Sequence, residues 1–404
     1  MQALNTMEDY VIRVFDEPGA IDITEWQALL ALQPEPTPFT DARYLWAMHE
    51  SGSAVEETGW RFAFVTLWRE GVLQAACPTW LKSHSYGEYV FDWAWAEAHE
   101  RHGLPYYPKL LGAVPFTPVP GTRLLARDPA ARKALAEALA QVCRQHALSS
   151  AHVLFIDEAD QAAFEAAGWM IRHGVQFHWQ QDGARPITDF TDLLSRLHRE
   201  KRKKIQQEQR RVREAGVHFT VHRGDAIGED LWDHFYRCYT ITYRLHRSTP
   251  YLSRRFFTLM AQRMPDHWLM FVAHDAQGPV GCSLIALDPQ RKVAYGRYWG
   301  AIRSIPCLHF DACYYQPLAW CLANGWQRFE GGAQGEHKMA RGLMPVGTRS
   351  AHWLADPRFA RAVEDFLQRE GAHVGAYVDE LREHSPFKAG DPSGVPAGSV
   401  TTDP

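Results

Sequence analysis

An internal repeat constrains the fold of this chain more than any other feature of its sequence. Three patterns recur in the same order: Ala-Ile, four residues and Trp; Pro-aromatic, three residues and Arg-aromatic; Phe-Val, five residues and Gly. They lie at 20–26 and 226–232, 38–44 and 250–256, and 64–71 and 271–278. The offsets are 206, 212 and 207 residues. Because order and spacing recur together, the sequence predicts a duplicated domain.

Each copy shows the same series of elements. An alternating apolar run comes first, at 10–15 and 218–223, which indicates a strand. Amphipathic helices follow, then two strands across a turn, a third strand, a helix and a short final strand. The order β-α-α-β-β-β-α-β predicts a mixed sheet with helices on its faces, built twice. The expected fold class is therefore α/β (α+β).

The composition is that of a globular protein. The chain has 404 residues, 46% hydrophobic and 22% charged, so it can bury a large core. The formal net charge of -4 gives no overall attraction to DNA or anionic membranes. The N-terminus carries acids where a secretory signal would be basic, and no apolar run approaches the ~18 residues of a transmembrane helix. We therefore expect a cytoplasmic protein without a transmembrane segment.

Seven cysteines occur without any Cys-x-x-Cys spacing. We expect reduced, mostly buried thiols and no metal site. Cys307 and His309 open a predicted helix, but side chains two residues apart on a helix face different ways. A buried thiol is therefore favoured over a nucleophile at Cys307.

The first copy is about 31 residues longer than the second, and most of the extra residues form an insertion at 83–109. This insertion mixes aromatic and acidic side chains, including Trp93, Trp95 and Tyr106. Such a mixture suits stacking on a polar ligand and hydrogen bonding to it. The alternative is a packed aromatic loop.

A basic segment joins the two copies. Residues 188–216 have a capping Thr, an apolar stripe and a final Gly, so they are predicted to form one helix. Nine Lys or Arg and two Glu lie between Arg196 and Arg213, which leaves an excess of seven positive charges. The simplest interpretation is a solvated helical face. The alternative is a phosphate site that includes Lys203 and Lys204.

Ionisable residues are concentrated in the stretch 328–353. Three glycines follow a predicted strand end, and Glu336, His337, Lys338 and Arg341 come directly after them. Glycines allow close backbone approach and leave amide donors available. The alternative is a glycine-rich turn with solvated charges.

Three stretches carry a family resemblance: 83–121, 307–342 and Ser350-Ala351-His352-Trp353. They resemble the FemAB-like family of N-acyltransferases, whose tandem domains are similar to the GNAT acetyltransferase fold. The basic helix also resembles a segment of the Fem peptidyltransferases, which add amino acids to peptidoglycan precursors. The resemblance covers nearly the whole chain, from Trp26 to 384–387.

The resemblance implies transfer of an acyl or aminoacyl group to an amine on a small molecule or peptide. Amine acylation needs a base, donors for the oxyanion and cations for a phosphate-bearing substrate. Glu336, His337 and Glu330 are the candidate bases. Lys338, Arg341, His352, Lys203, Lys204, Trp93, Trp95 and Tyr106 are the candidate binding residues.

The donor is left open between acyl-CoA and aminoacyl-tRNA, with no tightly bound cofactor expected. GNAT enzymes hold the CoA pyrophosphate with an Arg/Gln-x-x-Gly-x-Gly/Ala loop, and neither copy has that spacing. The alternative function is a non-catalytic protein that recognises a peptidoglycan precursor or another phosphate-bearing ligand.

The expected organisation has four parts. Residues 1–187 form the first GNAT-like domain, 188–216 the connecting helix and 217–387 the second domain. Residues 388–404 are rich in Gly, Pro, Ser and Thr without an apolar face, and we expect disorder there.

Overall fold

A computed structural model describes the backbone of residues 2–7 and, with side chains, residues 10–333 and 335–391. The strands are β1 Gln2–Met7, β2 Tyr10–Phe15, β3 Trp60–Phe62, β4 Phe64–Arg69, β5 Val72–Cys77, β6 Thr79–Lys82, β7 Lys109–Gly112, β8 Leu125–Ala126, β9 Ser150–Leu154, β10 Met170–Gln180, β11 His218–Arg223, β12 Trp268–Asp275, β13 Gly278–Asp288, β14 Val293–Ala301, β15 Arg328–Glu330 and β16 Met344–Leu354.

The α-helices are α1 Ile23–Leu30, α2 Ala42–Glu50, α3 Trp93–Arg101, α4 Pro129–Gln145, α5 Glu158–Ala166, α6 Phe190–Arg196, α7 Arg199–Glu214, α8 Glu229–Leu245, α9 Arg254–Arg263, α10 Leu308–Phe310, α11 Gln316–Ala323 and α12 Pro357–Glu383. Asp311–Tyr315 form a π-helix, and 3₁₀-helices cover Pro18–Ala20, Glu56–Thr58, Gly224–Ala226, Pro265–His267 and Glu336–Arg341. Among the described residues, no helix has the length and apolar character needed to span a membrane.

The chain divides into two compact units. The first contains the described residues of Met1–Gly174 and Thr348–Val374, and the second those of Val175–Gly347 and Gly375–Pro404. The boundaries fall inside β10, β16 and α12, so each unit is built from separate segments of the chain. The contiguous domains 1–187 and 217–387 stay a prediction. They differ from these units chiefly because Thr348–Val374 belongs to the first unit.

The first unit holds two sheets. One has the order β1-β2-β4-β5-β8 with antiparallel neighbours. In the other, β3, β6, β7, β9 and the end of β16 are successive neighbours. Here β7 and β9 run parallel, and α4 supplies the crossover that a parallel pair requires. The Asp128 carboxylate starts α4 by accepting a hydrogen bond from the Ala131 N–H at 2.8 Å.

The second unit reproduces the predicted order of elements. β11 is followed by α8, α9, β12, β13 and β14, then by the helix from α10 to α11, and then by β15. Its sheet places β11, β12, β13, β14, β15 and the end of β10 side by side. β14 and β15 are parallel, so the helix between them crosses over one face of the sheet. The glycine-rich stretch begins where β15 ends.

Each unit has its own hydrophobic core. In the first, Leu135 of α4 packs in one cluster with Val65 of β4. In the second, Leu318 of α11 belongs to a cluster with Phe271 and Ile285 of the sheet. Full burial of such a side chain contributes about 1.5–3 kcal/mol. These cores fix the strand ends that carry the candidate sites.

The segment 188–216, predicted to be one helix, forms two. α6 ends at Arg196, and Leu197 is extended with φ −73° and ψ 151°. Leu197 forms a β-bridge with Phe387, and the His198 N–H donates a hydrogen bond to the Pro386 carbonyl at 2.9 Å. This pairing uses backbone groups that a continuous helix would need.

The tail contributes to the same pairing. The Lys388 N–H donates to the Arg196 carbonyl at 2.9 Å, and the Arg196 guanidinium lies 4.0 Å from Asp391. Arg196 is buried and also pairs with Asp192 at 2.7 Å, so it adds nothing to the exposed positive charge of the helix. The rest of the segment predicted to be disordered, 392–404, lies outside the described residues.

Candidate functional site

The glycine-rich stretch follows the carboxyl end of β15, beside the parallel strand β14. Ligands bind beyond the carboxyl ends of parallel strands in open α/β sheets. Gly335 has φ +118°, and a Cβ there would lie 2.5 Å from Cε1 of His337. Glycine at this position therefore allows the imidazole to lie against the backbone.

His337 is exposed and contacts aromatic side chains. Its Nε2 lies 3.3 Å from the Tyr314 hydroxyl oxygen, and its ring centroid is 6.1 Å from that of Phe310. Partial burial, with the positive charges of Arg341 and Lys338, lowers the pKa of His337 below its ordinary value. The imidazole is therefore neutral near pH 7 and can accept a proton.

A π-helical turn lies in the helix that carries Tyr314. The five residues Asp311–Tyr315 adopt π-helical geometry before α11 begins. In this turn the Tyr314 hydroxyl reaches His337, whereas the next hydroxyl, that of Tyr315, donates to Glu208. Single π-helical turns occur frequently at functional sites because they redirect side chains within a helix.

Lys338 is buried directly beside His337 in sequence. Its Nζ donates a hydrogen bond to the Gly332 carbonyl at 3.0 Å. Burial lowers the pKa of Lys338 to about 8. An ammonium has three N–H donors, and Gly332 takes one of them. The other donors can stabilise an anion or a developing oxyanion.

The predicted carboxylate bases lie in two different environments. Glu336 is exposed, and its carboxylate accepts a hydrogen bond from the Tyr377 hydroxyl at 3.3 Å. Glu330 is buried in the sheet, where its Oε1 lies 3.1 Å from Arg328 Nε and its Oε2 3.9 Å from His178 Nε2. The sheet therefore holds Glu330 in an internal ion pair, whereas Glu336 and His337 face solvent.

Arg341 has an internal partner rather than an exposed one. Its guanidinium is buried, lies 3.2 Å from Glu208 Oε2 and stacks 3.7 Å from the Phe310 ring centroid. It also donates to the His337 carbonyl at 2.6 Å. Through these contacts Arg341 joins the 3₁₀-helix to α7, and its expected role as a ligand partner stays a prediction.

α7 carries the positive charge predicted for it. Ile205, Glu208 and Val212 form its buried side, and Lys203 and Lys204 are exposed. An open depression of about 650 Å³ at the start of α7 is lined by His198, Arg199, Glu200 and Lys203. Cationic side chains around an open depression suit a phosphate group.

The loop after β14 does not fit a CoA pyrophosphate. Residues 302–307 contain no glycine. The guanidinium of Arg303 is paired with Asp275 and donates to Gln277 Oε1 at 2.9 Å. Pyrophosphate sites at helix N-termini rely on the backbone N–H groups of glycine-rich turns. The choice between acyl-CoA and another donor stays a prediction.

The other predicted binding residues lie in the first unit. Trp93 is exposed and meets Tyr86 edge to face, with the ring centroids 4.9 Å apart. Trp95, Tyr106 and His352 are buried. Trp95 and Tyr106 pack in a small apolar cluster with residues of β16 and α12. Their role in ligand binding stays a prediction, as does the alternative of a packed aromatic loop.

His352 belongs to a buried chain of hydrogen bonds. Ser350 Oγ lies 2.8 Å from His352 Nε2, and the two Nδ1 atoms of His352 and His152 are 2.8 Å apart. His152 Nε2 lies 3.0 Å from the Tyr106 hydroxyl, which donates to Asp92 Oδ2 at 2.6 Å. Burial lowers the pKa of His152 to about 3, and that of His352 as well, so both rings are neutral. Because a carboxylate only accepts, every donor in the chain points towards Asp92.

Lys109 neutralises the end of this chain. Its buried Nζ contacts the Asp92 carboxylate and donates to Glu88 Oε2 at 2.8 Å and Ser85 Oγ at 2.9 Å. Burial alone would raise the pKa of Asp92, but Lys109 holds it below its usual range. Burial raises the pKa of Glu88 to about 7. The cluster thus buries several ionisable groups that compensate one another.

Sequence reasoning missed Tyr314, Lys109 and His152. His152 becomes recognisable only when β9 pairs with β16, because it is then the direct partner of His352. Lys109 is the last residue of the insertion. Its positive charge among acidic residues could have indicated an ion pair.

One comparison with known proteins identifies the family. The sequence matches the FemAB-like family, described as peptidoglycan biosynthesis/recognition, over residues 18–389. No curated protein matches the sequence. The structure of L-PGS from Bacillus licheniformis is similar at 12% identity and a TM-score of 0.52, over 87% of this chain and 98% of that one. The crystal structure of FemX is similar at 10% identity and a TM-score of 0.53, over 87% and 100%.

At such low sequence identities the two structures show similarity of fold alone. They confirm the α/β architecture expected from the sequence. The family match extends over nearly the whole described chain. This chain belongs to the FemAB-like family and has a fold similar to those of L-PGS and FemX.

Proposed function

We propose that this protein transfers an acyl or aminoacyl group to an amine, with its reaction site at the glycine-rich stretch of the second unit. The observation that carries the proposal is the pairing of a neutral, exposed imidazole with a buried ammonium in adjacent residues. His337 has a lowered pKa and an aromatic hydroxyl partner, and Lys338 has a pKa of about 8. A base and an oxyanion donor are two of the groups that amine acylation requires.

His337 is the base in this proposal. If Nε2–H donates to the Tyr314 oxygen, the lone pair of Nδ1 accepts the proton. The acceptor amine attacks the carbonyl carbon of the donor ester and loses its proton to Nδ1. The new C–N bond forms, the C–O bond to the carrier breaks, and the released carrier hydroxyl regains the proton. Tyr314 orients the imidazole as the third group of a triad does.

Lys338 stabilises the oxyanion in this proposal. The tetrahedral intermediate places a negative charge on the former carbonyl oxygen, and a buried ammonium is worth more there than in water. Gly332 holds Nζ in place at 3.0 Å. Lys338 must therefore stay protonated for turnover.

The donor class follows from the surrounding charges. The loop after β14 lacks a pyrophosphate cradle, which disfavours acyl-CoA. The exposed lysines of α7 and the depression beside them suit a phosphate-rich carrier. We therefore favour an aminoacyl-tRNA donor and a peptidoglycan-precursor peptide as the amine acceptor, in line with the family description.

The test is a transfer assay with purified protein. Transfer RNA charged with radiolabelled amino acids, or labelled acetyl-CoA, is mixed with a nucleotide-linked peptidoglycan precursor. We expect label to move from the charged tRNA to the precursor in an amide bond that withstands mild alkali. Label arriving from acetyl-CoA alone would overturn the donor class.

Recognition without catalysis is the second candidate, and the open depression at the start of α7 favours it. A protein of this kind binds the precursor or the tRNA but transfers no label from either donor. Binding by calorimetry together with an absence of transfer would establish recognition in place of the transferase.

A further inference from the structure

Three potential metal ligands converge in the second unit, away from the residues used above. His234 and Cys238 lie on α8, and Cys282 lies on β13. His234 and Cys238 are four residues apart and therefore share one face of the helix. Their side-chain ligand atoms and that of Cys282 all lie within 4.8 Å of one another.

The fold brings α8 unusually close to the sheet at this point. Cys282 pairs with Gly300 in the register of β13 and β14. A Cβ at Gly300 would lie 2.2 Å from the Cys238 carbonyl oxygen. Any other residue at Gly300 would push the helix away, so this glycine allows the Cys238 thiol to reach Cys282.

The separations suit a tetrahedral ion. Cys238 Sγ lies 3.4 Å from His234 Nε2. With Zn–S at about 2.3 Å and Zn–N at about 2.0–2.1 Å, sulfur and nitrogen ligands at the tetrahedral angle lie about 3.6 Å apart. Both cysteines are buried and His234 is half-buried, so an ion here would have an apolar side and a side nearer solvent.

We propose that His234, Cys238 and Cys282 bind a Zn²⁺ ion through one imidazole nitrogen and two thiolates. A Cys₂His set leaves the fourth tetrahedral position to water or another ligand. Binding displaces one proton from each thiol, and the ion links α8 to the central strand β13. The site is independent of the proposed transferase chemistry.

This site could not be predicted from the sequence because its ligands lack a Cys-x-x-Cys spacing. Cys238 and Cys282 come from a helix and a strand that meet only in the folded unit. The expectation of no metal site rested on sequence spacing alone.

Cobalt substitution tests the proposal directly. The reduced, metal-stripped full chain is titrated with Co²⁺, which gives intense visible bands in tetrahedral thiolate sites. We expect one equivalent to saturate these bands, and Zn²⁺ to displace the cobalt and raise the unfolding temperature. A spectrum typical of octahedral cobalt, or the absence of any cobalt bands from the bound protein, would overturn the proposal.

Variants of the three ligands distinguish a specific metal site from adventitious metal binding. His234→Ala, Cys238→Ser and Cys282→Ser should each weaken binding by more than the 10–100-fold typical of losing an outer-shell partner. Cys321→Ser removes another buried thiol of the same unit and should leave the titration unchanged. Should Cys282→Ser not fold, His234→Ala decides, because that side chain is only half-buried. Undiminished cobalt binding in His234→Ala would overturn the proposal, as would a Cys238–Cys282 disulfide that persists in reductant.

Discussion

Arg341 and Glu208 form a buried ion pair, with 3.2 Å between Nη2 and Oε2, that joins the glycine-rich stretch to the basic helix α7. The Tyr315 hydroxyl donates to the same carboxylate. The stretch that carries His337 and Lys338 is therefore fixed to the helix that carries the exposed lysines. In our account, carrier binding and chemistry occur on two connected elements of the second unit.

Removing one partner of this pair should destabilise the second unit strongly. Arg341→Met leaves the Glu208 carboxylate buried without its cation, and such losses cost about 3–5 kcal/mol. Urea denaturation measures the difference. Lys133→Met, which removes an exposed ion pair with Glu137, is the control and should cost less than about 1 kcal/mol. An Arg341→Met protein of wild-type stability would contradict the structural role.

Charge reversal on α7 should affect binding and leave stability nearly unchanged. Lys203→Glu with Lys204→Glu should weaken the affinity for labelled tRNA at least about tenfold and reduce its salt dependence by about two phosphate contacts. The unfolding free energy should change by less than about 0.5 kcal/mol, because both side chains are exposed.

The matched control reverses two exposed arginines of α12. Arg361→Glu with Arg369→Glu makes the same change in net charge on another helix. If both double variants lose tRNA affinity equally, the positive charge of α7 is not a specific site.

How far the sequence predicted this structure depends on the range of the interactions. The order of elements in the second unit was predicted correctly because turn residues and apolar periodicity are local signals. The break between α6 and α7 at Leu197 was not predicted, because it depends on a β-bridge with Phe387, which lies far along the chain.

Long-range contacts also explain which partners of the candidate site residues could not be predicted from the sequence. Arg341 was predicted to contact a ligand because its ion pair with Glu208, which lies 133 residues earlier, cannot be inferred from the sequence. His352 was a candidate binding residue in the sequence, and its partner His152 becomes apparent only from the pairing of β9 and β16. Conversely, the exposed lysines of α7 followed from helix periodicity alone.

Lys109 should be essential to the stability of the first unit. Lys109→Met leaves Asp92 buried beside Glu88 without their shared cation, at a cost of about 3–5 kcal/mol. Adding Asp92→Asn removes the uncompensated charge and should restore part of the lost stability. Thermal unfolding of the single and double variants measures this coupling. Equal stability of the Lys109→Met variant and the wild type would show that the cluster does not depend on the ammonium.

Transfer activity should depend on pH in a bell shape. His337 must be neutral, so kcat/KM should rise as pH increases through its lowered pKa, below about 6.5. Lys338 must be protonated, so activity should fall as pH increases through about 8. Lys338→Arg should move the alkaline limb upwards by keeping the charge, whereas Lys338→Met should abolish the limb together with most turnover. An alkaline limb at the same pH in Lys338→Arg would assign it to another group.

The most direct test of the central claim compares His337→Gln with Glu336→Gln in single-turnover transfer from charged tRNA. Both substitutions keep size and hydrogen-bonding capacity, and both positions are exposed, so folding is matched. Our account predicts that His337→Gln lowers the rate by roughly 10²–10⁴ while Glu336→Gln and Glu330→Gln remain within a few-fold of wild type. Full turnover in His337→Gln, with the loss appearing instead in Glu336→Gln or Glu330→Gln, would contradict the assignment of the base.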